Sequence, residues 1–198
     1  MKKMCMIAVL FFIFFPGIVF GSYVYLYDFT GDDAEVLIEI TGEGTNSITF
    51  DVQVLNPAFA DLRGVWFNFD PFPSYSGDLT VTGADVTDYS FIDNGVVDLG
   101  NGATITPEGP FDAGIEIGLP GIGGGDDFYG TSFTVSSTYP ENLYLGDYFG
   151  ARLTSVGENR EGSSKLVGTC SPVPVPATIL LFGTGLIGLV GVSRKFKK

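Results

Sequence analysis

Apolar and polar residues alternate with a period of two along much of the middle of this chain, the period of half-buried strands. Ala34, Val36, Ile38 and Ile40 alternate with Glu35 and Glu39, with Leu37 an apolar exception on the outer face. Ile48, Phe50, Val52 and Val54 alternate against Thr49, Asp51 and Gln53. The Thr41-Gly42-Glu43-Gly44-Thr45-Asn46 stretch between them reads as a turn, so the two runs predict a β-hairpin. Tyr23 to Phe29 alternates weakly and is expected as an edge strand. Leu62 to Asp70 is apolar on both faces: Val65, Phe67 and Phe69 on one, Trp66 with Asn68 on the other. That suits a strand covered on both sides, or one with a binding face.

Shorter strands are expected at Leu79–Thr82, Tyr89–Ile92, Val96–Leu99 and Gly114–Ile117. Longer ones follow at Tyr129–Ser136 and Gly150–Val156, with a final edge strand at Ser164–Gly168. The loops between them are rich in Gly, Pro, Asn and Asp, and Gly118 to Asp127 (GLPGIGGGDD) is the most flexible by composition. One short helix is expected within Pro140–Phe149, capped by Ser137 or Thr138. No period of 20 to 50 residues recurs, against a solenoid or propeller. Many short strands with at most one helix predict an all-β fold, an antiparallel β-sandwich of jelly-roll type.

Both ends break this pattern. Lys2 and Lys3 precede a dense apolar run, Met4 to Phe15, broken by Pro16-Gly17 and followed by small residues at Gly21-Ser22. This is the pattern of a secretory signal peptide, residues 1–21. An uncleaved anchor is the alternative. At the other end, Pro172-Val173-Pro174-Val175-Pro176 cannot be helical and reads as a stiff extended stem. An uncharged apolar run, Ala177 to Val192, carries four glycines and ends in Arg194, Lys195, Lys197 and Lys198. As a helix over about residues 177–193, it would cover roughly 24 Å at ~1.5 Å per residue. That is a little short of a ~30 Å hydrocarbon core, and snorkelling Lys and Arg side chains make up the difference. The basic end is expected to stay cytoplasmic, against inner-membrane lipid.

Stem, glycine-spotted apolar run and basic tail together resemble the PEP-CTERM sorting signal of Gram-negative envelope proteins. The resemblance covers residues 172–198 and rests on Pro174, Pro176, Ala177-Thr178, Phe182 to Gly191 and the basic tail. It implies a sorting and processing motif at Pro174, Val175, Pro176, Ala177 and Thr178. It also implies a partner, exosortase, a membrane-embedded cysteine peptidase-transpeptidase that recognises a Pro-Glu-Pro core before the helix. The central Glu of that core is Val175 here, and Val-Pro-Val-Pro-Ala is similar to a variant form. What the resemblance implies for location is export, membrane tethering and a role at the cell surface or in the extracellular matrix.

The tags divide the chain into a signal peptide, an extracytoplasmic domain at 22–169 and a sorting region at 170–198. The domain holds all 23 acidic residues against four basic ones, Arg63, Arg152, Arg160 and Lys165, a net charge of −19. Such a surface repels phosphate backbones and excludes nucleic acid as a partner. Cys170, beside the stem, is the single cysteine after the signal peptide and has no intrachain partner there.

The chain has no histidine. Ser-His-Asp and Cys-His catalysis and imidazole metal sites are therefore out of reach in their usual forms. A carboxylate-pair glycosidase would have to draw on Glu39, Glu43, Asp51, Glu108 or Glu116, none in a spacing that marks it. The expected reading is non-enzymatic. Calcium is the candidate ion, through the carboxylate-rich turns Asp32, Asp33, Glu35 and Asp126, Asp127, although neither has EF-hand spacing. Aromatic side chains crowd between Trp66 and Tyr75. Trp66 and Tyr75 are the candidates for stacking on sugar, with exopolysaccharide as the partner.

Overall fold

The computed structural model describes residues 21–106, 108–119 and 127–170. Ten strands appear in chain order: β1 (Ser22–Gly31), β2 (Glu35–Thr41), β3 (Ser47–Asn56), β4 (Asp61–Phe69), β5 (Leu79–Thr82), β6 (Val86–Val96), β7 (Phe111–Ile117), β8 (Gly130–Ser137), β9 (Leu145–Val156) and β10 (Gly162–Thr169). One 3-10 turn, Ser76–Asp78, precedes β5. The strands form one continuous sheet in the order β5-β8-β3-β2-β1-β10-β9-β4-β7-β6, every neighbouring pair antiparallel.

The all-β, antiparallel part of the expectation holds. In place of two separate jelly-roll sheets, a single sheet curls until it nearly closes into a barrel. Side chains inside show the curl. Phe50 on β3 stacks on Phe67 on β4 at 4.7 Å between ring centroids, although four strands separate them along the sheet. Phe133 on β8 stacks on the same Phe50 at 4.9 Å, and Phe149 on β9 lies 6.4 Å from Phe67. Offset ring contacts of this kind add to the burial that drives the roll. Val24, Leu26, Val36, Ile38, Ile40, Ile48, Val52, Val65, Ile115 and Leu153 complete the interior.

The hairpin forms as its alternation requires, with Val36, Ile38 and Ile40 facing in and Glu39 paired with Asp51 on the outer face. Four expectations are corrected. Tyr23–Phe29 and Ser164–Gly168 are not edges: β1 and β10 pair with each other in mid-sheet, and β5 and β6 are the edges. The segment expected to be helical at 140–149 is extended. Gly44 N–H donates to Leu143 O at 2.9 Å and Leu143 N–H to Thr45 O at 2.7 Å, so tertiary pairing with the β2–β3 turn replaces a helical ladder. Finally, the run expected at 89–92 lies inside a longer strand, β6, which shifts register between Phe91 and Val96, whereas of the run expected at 96–99 only Val96 belongs to that strand.

A second, smaller core lies on the outside of the sheet. Trp66, Val96, Ala103, Ile105 and Phe111 are buried together, with Tyr148 packed against them. Trp66 points outward from β4, between Gly114 on β7 and Gly150 on β9, its register partners on the two sides. A β-carbon on Gly114 would stand 2.8 Å from Trp66 Nε1, and one on Gly64 2.6 Å from the far edge of the indole. The glycines thus leave a trough that holds the ring flat. Residues 97–106 cover it, folded on themselves by Leu99 N–H to Ala103 O and Ile105 N–H to Val97 O, both 3.0 Å, with Ala103 and Ile105 buried against the indole.

Candidate functional site

The two ends of the described chain lie side by side. Because β1 and β10 pair antiparallel, Ser22 at the start of one and Cys170 just past the end of the other reach the same pole. They line one cleft of about 230 Å³ with Ile40, Glu43, Leu145, Gly146, Asp147 and Phe149. One backbone and one side-chain acceptor build this pole: Cys170 N–H donates to the Asp147 carbonyl at 2.7 Å, and Leu145 N–H to the Glu43 carboxylate Oε1 at 3.1 Å. Burial pushes the Cys170 thiol up, and the Glu43 and Asp147 carboxylates push it the same way. A thiol so held stays protonated at neutral pH and is a weak nucleophile.

Pro174, Val175, Pro176, Ala177 and Thr178 lie outside the described residues, as do residues 1–20 of the expected signal peptide, the apolar run, the basic tail and Asp126. No helix among the described residues is long and apolar enough to cross a membrane.

Trp66, a candidate for sugar stacking, is fully buried in the outer core, and both faces of its ring are covered. This corrects the sequence reading, because the cover comes from residues 97–106, which no local pattern ties to β4. Tyr75 is 46 % exposed and stacks on Tyr139, itself 41 % exposed, at 3.9 Å between centroids. Nothing in the spacing of 64 residues linked these two rings.

The carboxylates named for calcium or hydrolysis are spread over the surface or already engaged. Asp32 Oδ2 accepts Ser163 N–H at 2.9 Å, and the Asp32 carbonyl accepts Ser164 Oγ–H at 2.7 Å. This holds the β1–β2 turn to β10, while Asp33 is exposed and Glu35 sits at the start of β2. Asp127 pairs with Arg160 at 2.5 Å. Among the described residues no three His, Cys, Asp or Glu side chains gather into a group that could hold a metal ion. Glu39 accepts Tyr23 Oη–H at 3.0 Å, and Glu108 accepts Tyr148 Oη–H at 2.6 Å. Burial, followed by the Glu108 hydrogen bond and charge, pushes the Tyr148 phenol up to about 12.

Glu116 is buried in a salt bridge with Arg63 at 2.9 Å, and Arg63 also donates to Ile117 O. Asp112 is buried too: its two oxygens accept Phe69 N–H at 2.9 Å and Asn94 N–H at 2.7 Å, stapling β4, β6 and β7 where the register shifts. Asp61 accepts Phe128 N–H at 3.2 Å and Thr154 Oγ1–H at 3.3 Å. Sequence reasoning singled out neither Asp61 nor Asp112, and their partners lie up to 93 residues away.

Residues 172–195 match the family model described as the PEP-CTERM protein-sorting motif. The chain therefore carries a C-terminal signal of this class, which implies an exosortase-type sorting partner. The motif begins two residues after Cys170, which lines the cleft where both ends of the described chain meet. No curated protein and no solved structure matches the chain.

Proposed function

We propose that this chain is an exported, non-enzymatic protein of the cell surface or extracellular matrix. The carrying observation is the match of residues 172–195 to the sorting motif, directly after the last strand. In this reading the signal peptide directs export. The apolar run at 177–193 then holds the domain at the inner membrane, its basic tail against cytoplasmic lipid headgroups. An exosortase-type transpeptidase acts at Pro174–Thr178 and frees or transfers the domain. The stem from Cys170 to Ala177 is seven residues, ~22 Å at ~3.1 Å per residue. That length lets the fold close completely while the processing site stays at the membrane surface. The adjacent ends support the same picture, since one pole carries both connections and the rest of the barrel faces outward. A domain charge of −19 favours a solvated, self-repelling surface.

The test is the mass of the C-terminal peptide of protein recovered from the cell surface. A break between Pro174 and Thr178 is expected. An intact C-terminus ending at Lys198 would refute processing there.

A second reading, a sugar-binding module, is favoured by the exposed Tyr75–Tyr139 stack, which offers ring faces to the C–H faces of a sugar. Retention of the surface-recovered protein on matrix polysaccharide, reduced in Tyr75→Ala, is the expected result. Equal retention of both proteins would remove Tyr75 from that role.

A further inference from the structure

Only four basic side chains serve the folded domain, and 23 carboxylates surround them. Arg63 is paired with Glu116 and Arg160 with Asp127. Arg152 and Lys165 have no carboxylate partner among the described residues. They stand instead directly opposite each other on β9 and β10, both on the outer face. Like charges facing each other across a strand pair destabilise a sheet, and in so acidic a chain the arrangement was easily avoided. Both cations are also partly desolvated. Arg152 Nε is buried with no hydrogen-bond acceptor, and burial lowers the affinity of each side chain for its proton. The Arg152 charge adds to that effect at Lys165. One Lys165 N–H donates to the Thr106 carbonyl, which puts the segment carrying the Thr104 and Thr106 hydroxyls, 3.2 Å apart, next to Lys165. On the other side, Tyr27 is 57 % exposed and is paired with Val167, two residues from Lys165 on the same face.

We propose that Arg152 and Lys165 form a binding site for the carboxylate of a sugar acid in an extracellular glycan. The two cations take the carboxylate, which relieves their mutual repulsion. The Thr hydroxyls and the Tyr27 ring suit the hydroxyls and C–H face of the same sugar unit. The surrounding charge narrows the ligand further. A polymer charged at every unit meets the −19 domain as a whole and is repelled. One whose acid groups are separated by neutral sugars presents a single carboxylate within the ~8 Å screening length of physiological salt. The proposal relies on surface display only for where the ligand is met, and its test does not depend on the C-terminus.

The experiment is calorimetric titration of the full-length protein with three probes: a glucuronate-containing oligosaccharide with alternating neutral units, its carboxyl-reduced neutral counterpart, and sodium sulfate. The acidic sugar is expected to bind and to raise the melting temperature. Arg152→Gln and Lys165→Gln should each weaken it ~10-fold or more, as loss of a charged hydrogen bond requires. Arg152→Lys and Lys165→Arg keep the charge and should retain most of the binding, so loss of fold is separated from loss of site. Equal binding of the neutral sugar, equal binding of sulfate, or affinity unchanged by both Gln substitutions would each overturn the assignment.

Discussion

Trp66→Ala probes the outer core most directly. The indole is fully buried, and Phe/Trp→Ala changes in such sites cost about 3–5 kcal/mol. That is a large share of the ~5–15 kcal/mol by which a domain is normally stable. Gly114→Ala perturbs the same contact from the other side, because its β-carbon would stand 2.8 Å from Trp66 Nε1 and 2.8 Å from Val96 Cγ1. Overpacking of this kind costs about 1–3 kcal/mol. The two changes share one space, so they should not add. With the indole gone, the new methyl enters a cavity, and the double variant should be more stable than the sum of the single effects by ~1 kcal/mol or more, within the usual coupling of touching residues. Equilibrium denaturation of the four proteins measures this coupling. Strict additivity would refute the trough, and a Trp66→Ala cost below about 1 kcal/mol would refute the burial on which it rests.

Breaking the buried ion pair by Glu116→Gln should cost about 3–5 kcal/mol, because Arg63 is left charged and buried, whereas the paired replacement Arg63→Met with Glu116→Leu should cost far less; denaturation midpoints distinguish the two. The raised Tyr148 phenol favours the folded state fully below its ordinary value of 10, and that stability is lost as pH rises from 10 towards about 12. Tyr148→Phe should remove this part of the alkaline decline in melting temperature, and an unchanged profile would contradict the raised phenol. Excess EDTA should leave the melting temperature unchanged, since Asp32 and Asp127 are already engaged by Ser163 and Arg160; a fall of several degrees restored by calcium would reveal a site. Asp112→Ala, which strands Phe69 N–H and Asn94 N–H, should destabilise by about 1–3 kcal/mol per donor left unpaired, and a neutral result would show that water replaces it.

Local pattern by itself determined which segments are strands where alternation is strict, as in Val36–Ile40 against Ile48–Val54, with a glycine-rich turn of fixed length between them. It also determined the sorting motif, because a proline stem, an apolar run and a basic tail act through composition within 27 residues and need no partner from the rest of the chain. What only the tertiary structure decided depends on register and on distant segments. The pairing of β1 with β10 joins residues some 130 apart and puts both ends of the described chain at one pole. The curl that stacks Phe50 on Phe67 is a property of the whole sheet, and it turned an expected pair of sheets into one. Trp66 had the same sequence signature as an exposed platform. Its burial was decided by Gly114 on the neighbouring strand β7, by Gly64 two residues before it, and by a covering segment more than 30 residues away. Arg152 and Lys165 likewise became neighbours only through strand register, since a period of two sets which face a charge takes and not which charge it meets across the sheet.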